Sequence, residues 1–170
     1  MSVGSVSFFV IVLFVIHEFE EIIRVYPWII DNQGKPQYVK DTWISRKDEY
    51  PSTEAIASMI LEEILLLSLF LFFAIIINSM AIVIAIAIIN SLHLIMHLAF
   101  AIRIKSWNPG SVTALITLVL NAGLILLVAS RGIDYIVLLV SVLLLGAIFV
   151  LNLKLLQRHA SRKSKTSMLS

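Results

Sequence analysis

Apolar residues run through this chain in five long stretches separated by short polar intervals, and the pattern predicts five membrane-spanning helices. Each span must supply about 20 mainly apolar residues to cross a hydrocarbon core roughly 30 Å thick. Stretches that do so run from Val3 to Ile23, Ala55 to Ile77, Ser79 to Ile102, Ser111 to Ser130 and Ile133 to Leu153. Only the Asn78-Ser79 turn separates the second from the third. Residues 24–54 form the one long connection, where Pro27, Gly34, Pro36 and Pro51 read as loop. Tyr26, Trp28, Trp43 and Tyr50 suit the headgroup zone. Ser52 or Thr53 is placed to cap the second helix, with Glu54 complementing its dipole. Met1 to Ile16 contains no Lys or Arg, so the first stretch lacks the basic start of a secretory signal and reads as a retained helix.

Composition changes the picture little but closes alternatives. Of 170 residues, 59% are hydrophobic and only 14% charged, against about 25% charged in soluble domains. These values exclude a disordered chain, a nucleic-acid-binding domain and an ordinary soluble globule. What they leave is an all-α integral membrane bundle. Cysteine is absent, so disulfides and thiolate chemistry are excluded.

Charge placement then orients the bundle. Five spans put the two ends on opposite sides. With a cytoplasmic C-terminus, every Lys and Arg except Arg131 falls in a cytoplasmic segment. Positive charge marks the cytoplasmic side, so the N-terminus is expected outside. The expected organisation is one five-span domain over residues 1–153, with loop 24–54 cytoplasmic and a basic cytoplasmic tail over 154–170. Such a chain is a multi-pass protein of the cell membrane.

Within this frame several residues stand where a bilayer should exclude them: Glu18, Glu20, Glu21, Glu62, Glu63, His17, His93 and His97. A central acidic side chain costs about 2.5–3.5 kcal/mol even on the insertion scale, and such groups normally face the bundle interior. At 1.5 Å per residue, His17 lies about 10 Å from the cytoplasmic boundary, Glu62 and Glu63 roughly 10–12 Å, His97 about 9 Å and His93 about 15 Å. Thr113, Thr117 and Asn121 occupy depths between about 3 and 15 Å. Four helices thus converge their polar groups at one level. His17, Glu20 and Glu21 share a helix face, as do His93 and His97. Glu18 falls off the His17 face and is expected to snorkel toward water or Arg24. Since adjacent residues differ by about 100° around a helix, Glu62 and Glu63 should not face the site equally.

His17-Glu18-Phe19-Glu20-Glu21 reads as H-x-x-E-E, and the chain resembles the HXXEE family of small polytopic membrane proteins. A Glu-bearing second helix (Glu62-Glu63) follows in order. The histidine-bearing Leu92–His97 segment leads into Asn108-Pro109-Gly110-Ser111-Val112-Thr113, similar to that family's second signature. The resemblance covers residues 8 to 120 and implies an architecture and motif residues, with no established reaction.

Imidazole and carboxylate together suit zinc, iron or manganese. The functional expectation is a divalent metal site built from His17, Glu21, Glu62, Glu63, His93 and His97. Glu20 or Glu21 would serve as catalytic base, with Thr113, Thr117 and Asn121 in support. The expected activity is a metal-dependent membrane hydrolase or oxidase acting on a lipid-like small molecule from the cytoplasmic leaflet. Three other readings fit the same residues: a metal-free acid–base isomerase of a sterol- or terpene-like lipid, a transporter, and a subunit of a membrane complex. The bilayer is the expected partner throughout, nucleic acid is not, and a homo-oligomer is compatible with the pattern.

Overall fold

The computed structural model describes residues 1–32, 35, 52–130 and 132–167. Every regular element among them is an α-helix: α1 (Val3–Asn32), α2 (Thr53–Ile76), α3 (Met80–Ile104), α4 (Ser111–Ala129) and α5 (Tyr135–Ser167). Four of these, α2 to α5, are long and apolar enough to cross a membrane. In α1 the apolar run Val3–Ile16 covers about 21 Å before His17 interrupts it.

Local signals set most helix ends. Ser52 Oγ accepts a hydrogen bond from the Ala55 amide at the start of α2. Between α2 and α3, Asn78 takes a left-handed conformation (φ 51°). There Ser79 N–H donates to Ala74 C=O and Asn78 N–H to Ile75 C=O, closing two of the four carbonyls a helix end leaves open. Lys105 (φ 53°) ends α3 in the same way. Asp134 Oδ1 accepts from the Ile136 and Val137 amides at 3.0 Å each and so starts α5 at Tyr135.

Two helices run further than their apolar stretches. α1 continues through Pro27 to Asn32, so residues 24–32 are helix where a loop was expected. Pro27 forfeits one backbone donor, but the Asn32 side chain closes the end by donating to Trp28 C=O at 2.7 Å, and Lys35 Nζ donates to Asn32 Oδ1. At the other end α5 extends to Ser167, carrying the basic tail as helix. Trp43, Tyr50 and Arg131 lie outside the described residues.

α3 is the central helix and packs against α1, α2, α4 and α5. Its first half is buried nearly all round, with Ala81, Val83, Ile84, Ala85, Ile86 and Ala87 each 5% exposed or less. Small residues at Ala81, Ala85 and Ala87 let neighbouring backbones approach, which matters where packing rather than water exclusion drives association. The core joins Val6, Val10 and Phe14 of α1 to Leu67 and Leu71 of α2 and to this stretch of α3. Outward faces carry Phe8, Phe72, Leu139 and Leu143, all strongly exposed. A soluble protein rarely presents so continuous an apolar surface. The His and Glu side chains meet in the other half of the bundle, which also buries Ile56, Ile60, Leu94 and Ala114.

Candidate metal centre

One turn of α1 and one of α3 bring four donors to one point. His17, Glu21, His93 and His97 make a group in which one ring nitrogen of each histidine and a Glu21 carboxylate oxygen all lie within 4.8 Å of one another. Glu21 Oε1 stands 2.7 Å from His97 Nε2, 3.5 Å from His17 Nε2 and 4.0 Å from His93 Nε2. The two α3 imidazoles approach at 3.2 Å. The three rings pack edge to face, with centroids 4.7–5.3 Å apart. His17 is fully buried, whereas His93 is 37% exposed and forms the accessible side.

A relay behind His17 fixes which nitrogen faces the group. Thr113 Oγ1 donates to Glu20 Oε2 at 2.6 Å, so it accepts from His17 Nδ1–H at 3.0 Å. The Thr113 amide also donates to Glu20 Oε2, and Arg24 lies 3.8 Å from the other oxygen of that carboxylate. With Nδ1 protonated, His17 Nε2 carries a lone pair toward the centre, the orientation that outer hydrogen bonds impose on metal-binding histidines. Removal of this hydroxyl by Thr113→Val is expected to weaken divalent-metal binding ~10–100-fold, and Thr113→Ser to restore it. Titration against a chromogenic chelator measures both. Equal affinity in the Val variant would show that His17 needs no such support.

Gly110 holds α4 against the centre. Its left-handed conformation (φ 86°) suits glycine, and a Cβ there would lie 2.8 Å from His97 Nδ1 and 3.2 Å from Glu21 Oε1. The preceding turn is locked from within: Ser111 Oγ pairs with the backbone carbonyl of Asn108 and stands 2.8 Å from Asn108 Oδ1. Asn108 N–H donates back to Ser111 Oγ.

The other expected site residues fall around this group. Glu20 stands behind it, on Thr113. Thr117 is buried and donates to Thr113 C=O. Asn121, two turns further along α4, is fully buried with neither side-chain polar atom hydrogen-bonded. Glu62 is exposed, while Glu63 is half-buried and close enough to Glu18 and Glu21 to interact electrostatically with both. Glu18 corrects the sequence reading. It does not snorkel: it is 2% exposed, and its Oε1 lies 3.7 Å from His93 Nε2. α1 is enclosed by α2, α3 and α4, so its buried arc is wider than one stripe and takes in the residue beside His17.

The donor set suits a metal ion. Four ligand atoms about 2.0–2.1 Å from one tetrahedral ion stand about 3.3 Å apart, and the distances here bracket that value. His17 Nε2 is buried without a hydrogen-bond partner, which leaves its lone pair on the side where Glu21 Oε1 and His97 Nε2 meet.

Fold and centre together define a helical, membrane-spanning bundle with an internal His/Glu group able to hold a metal ion. The chain belongs to the HXXEE family, whose model, described as "Protein of unknown function with HXXEE motif", matches residues 8–126. No curated protein and no solved structure matches the chain.

Proposed function

We propose that this protein is an intramembrane metal-dependent hydrolase that cleaves an ester or amide of a lipid-like molecule reaching it from the cytoplasmic leaflet of the cell membrane. The observation that carries this reading is the convergence of three imidazole nitrogens and one carboxylate oxygen within 4.8 Å, at a depth where such groups are costly. The proposed topology has five spans, an outside N-terminus and a cytoplasmic C-terminus, and places the centre in the inner half.

His17, His93, His97 and Glu21 would hold the ion, zinc, iron or manganese by donor chemistry. A divalent ion there supplies Lewis acidity, polarising a carbonyl and lowering the pKa of coordinated water toward 7. Were Glu21 to release the ion, the three imidazoles would leave its fourth position for water, and the Glu21 carboxylate, within 4.0 Å of all three, would be placed to take that water's proton. Glu20 is a positioning residue that acts on His17 through Thr113. Substrate would approach from the side of His93, the exposed member of the group; the groove of about 290 Å³ between α1 and α4, lined by Ile16, Phe19, Glu20, Ile23, Arg24, Val112 and Thr113, lies behind His17 and meets none of the four donors.

Elemental analysis tests the reading, on protein purified in mild detergent without a metal-affinity column. At least one zinc, iron or manganese per chain is expected in the wild type and near none in His93→Ala, His97→Ala. Zinc supports hydrolysis; iron or manganese would move the assignment to oxidation. A folded wild type that binds no metal overturns the proposal in favour of metal-free acid–base chemistry.

A further inference from the structure

The groove between α1 and α4 lies apart from the four donors and has one charged end. Ile16, Phe19, Glu20, Ile23 and Arg24 follow one another at i, i+3, i+4, i+7 and i+8, so they form a single stripe along α1. Val112 and Thr113, in the first turn of α4, make the opposite wall. The apolar members stay open to the surroundings: Ile16, Phe19, Ile23 and Val112 are 45–64% exposed. The volume of about 290 Å³ is near the lower bound of small-molecule pockets, about 300 Å³. That is room for one chain segment and not for a whole lipid.

The two ends of the groove differ. From Ile16 to Arg24 the stripe runs about 12 Å along the helix, with hydrocarbon at one end and a guanidinium at the other. The carboxylate between them is already engaged, since the Thr113 hydroxyl and amide both donate to Glu20 Oε2, at 2.6 and 3.0 Å. Arg24 stands 3.8 Å from the other oxygen of Glu20, beyond hydrogen-bond distance, and its side chain is 66% exposed. It therefore has donors to offer a second anion, and a guanidinium pairs with phosphate through two parallel hydrogen bonds. On the proposed topology this end is the cytoplasmic one, at the level of the inner-leaflet headgroups.

We propose that the groove binds one anionic phospholipid of the inner leaflet, with its phosphate on Arg24 and part of an acyl chain along Ile23, Phe19 and Ile16 against Val112. A zwitterionic headgroup carries its own cation beside the phosphate and gains less from Arg24. The site is separate from the approach to the centre at His93, so its occupant is a bound lipid and not the substrate. The proposal stands whether or not the four donors hold a metal.

The test gives full-length protein in mild detergent equal amounts of phosphatidylglycerol and phosphatidylcholine with matching acyl chains, and reads the bound species by native mass spectrometry. One phosphatidylglycerol per chain is expected, preferred by about fivefold, the advantage one basic side chain confers at an anionic surface. Arg24→Gln should lose the preference and Arg24→Lys keep most of it. Lys105→Gln, which removes an exposed charge outside the groove, should leave it unchanged. Val112→Trp fills the groove from its α4 wall and should lower retention of both lipids. Equal retention of the two lipids by wild type, or a preference that survives Arg24→Gln, overturns the site. A dimer without bound lipid assigns the groove to a second copy of the chain and overturns it as well.

Discussion

Gly110→Ala lowers divalent-metal affinity by ~100-fold or more while the five helices persist. Two costs combine at this position. The left-handed backbone (φ 86°) charges any L-residue about 1–2 kcal/mol relative to glycine. The added methyl also meets His97 Nδ1 at 2.8 Å, His97 Cε1 at 3.1 Å and Glu21 Oε1 at 3.2 Å. Either the His97 ring and the Glu21 carboxylate shift, or α4 retreats and takes Thr113 from His17. Both outcomes spoil the donor geometry, and ~100-fold corresponds to about 2.7 kcal/mol. Chelator competition measures the affinity and far-ultraviolet circular dichroism the helix content. Gly123→Ala is the matched control on the same helix, because a Cβ there has open space within 4 Å. Wild-type affinity in Gly110→Ala would mean that the turn does not set the position of the donors.

The second large effect separates binding from folding. Glu21→Gln is expected to cost at least ~100-fold in metal affinity, and metal-free protein carrying it should unfold at a lower temperature than metal-free wild type. Glu21 Oε1 stands 2.7 Å from His97 Nε2, and breaking a buried pair by removing one partner's charge is destabilising. The amide keeps the volume and one acceptor oxygen, so the helices persist. Thermal unfolding in detergent, with chelator and with added metal, distinguishes the two contributions. A ligand at 100 times its Kd stabilises the folded state by about 2.7 kcal/mol, so metal should raise the wild-type midpoint and leave Glu21→Gln unmoved. A variant still stabilised by metal to the wild-type extent would remove Glu21 from the ligand set.

How much of this was legible beforehand follows from what each element depends on. α2, α3 and α4 begin and end within about two residues of the predicted spans, because apolar runs meet strong terminators at Asn78-Ser79 and Asn108-Pro109-Gly110. α1 was harder. Polar residues after Ile23 and Pro27 imitate a loop, whereas one lost donor does not stop a helix that Asn32 closes. In the centre, the i, i+4 pairs His17–Glu21 and His93–His97 were visible as spacing. Gly110's role was not, since a close approach across helices leaves no trace in periodicity. Glu18 was misread for a related reason: a single-stripe pattern assumes one buried face, and α1 is packed on several.

The contact between His17 and Thr113 joins residues 96 apart in sequence, and that separation governs how the protein is made. At about 5–20 residues per second, synthesis takes roughly 5–20 seconds to supply Thr113 after His17 has emerged. Until α3 emerges, Glu18, Glu20 and Glu21 have no partner from α3 or α4, at about 2.5–3.5 kcal/mol for each charge forced into lipid. On the proposed topology the nascent α1 therefore waits at the membrane surface or beside the insertion machinery, and settles to its final depth only as the α3–α4 hairpin arrives. On the proposed metal reading, loading would follow insertion, because His93 and His97 reach His17 and Glu21 only once α3 is in place.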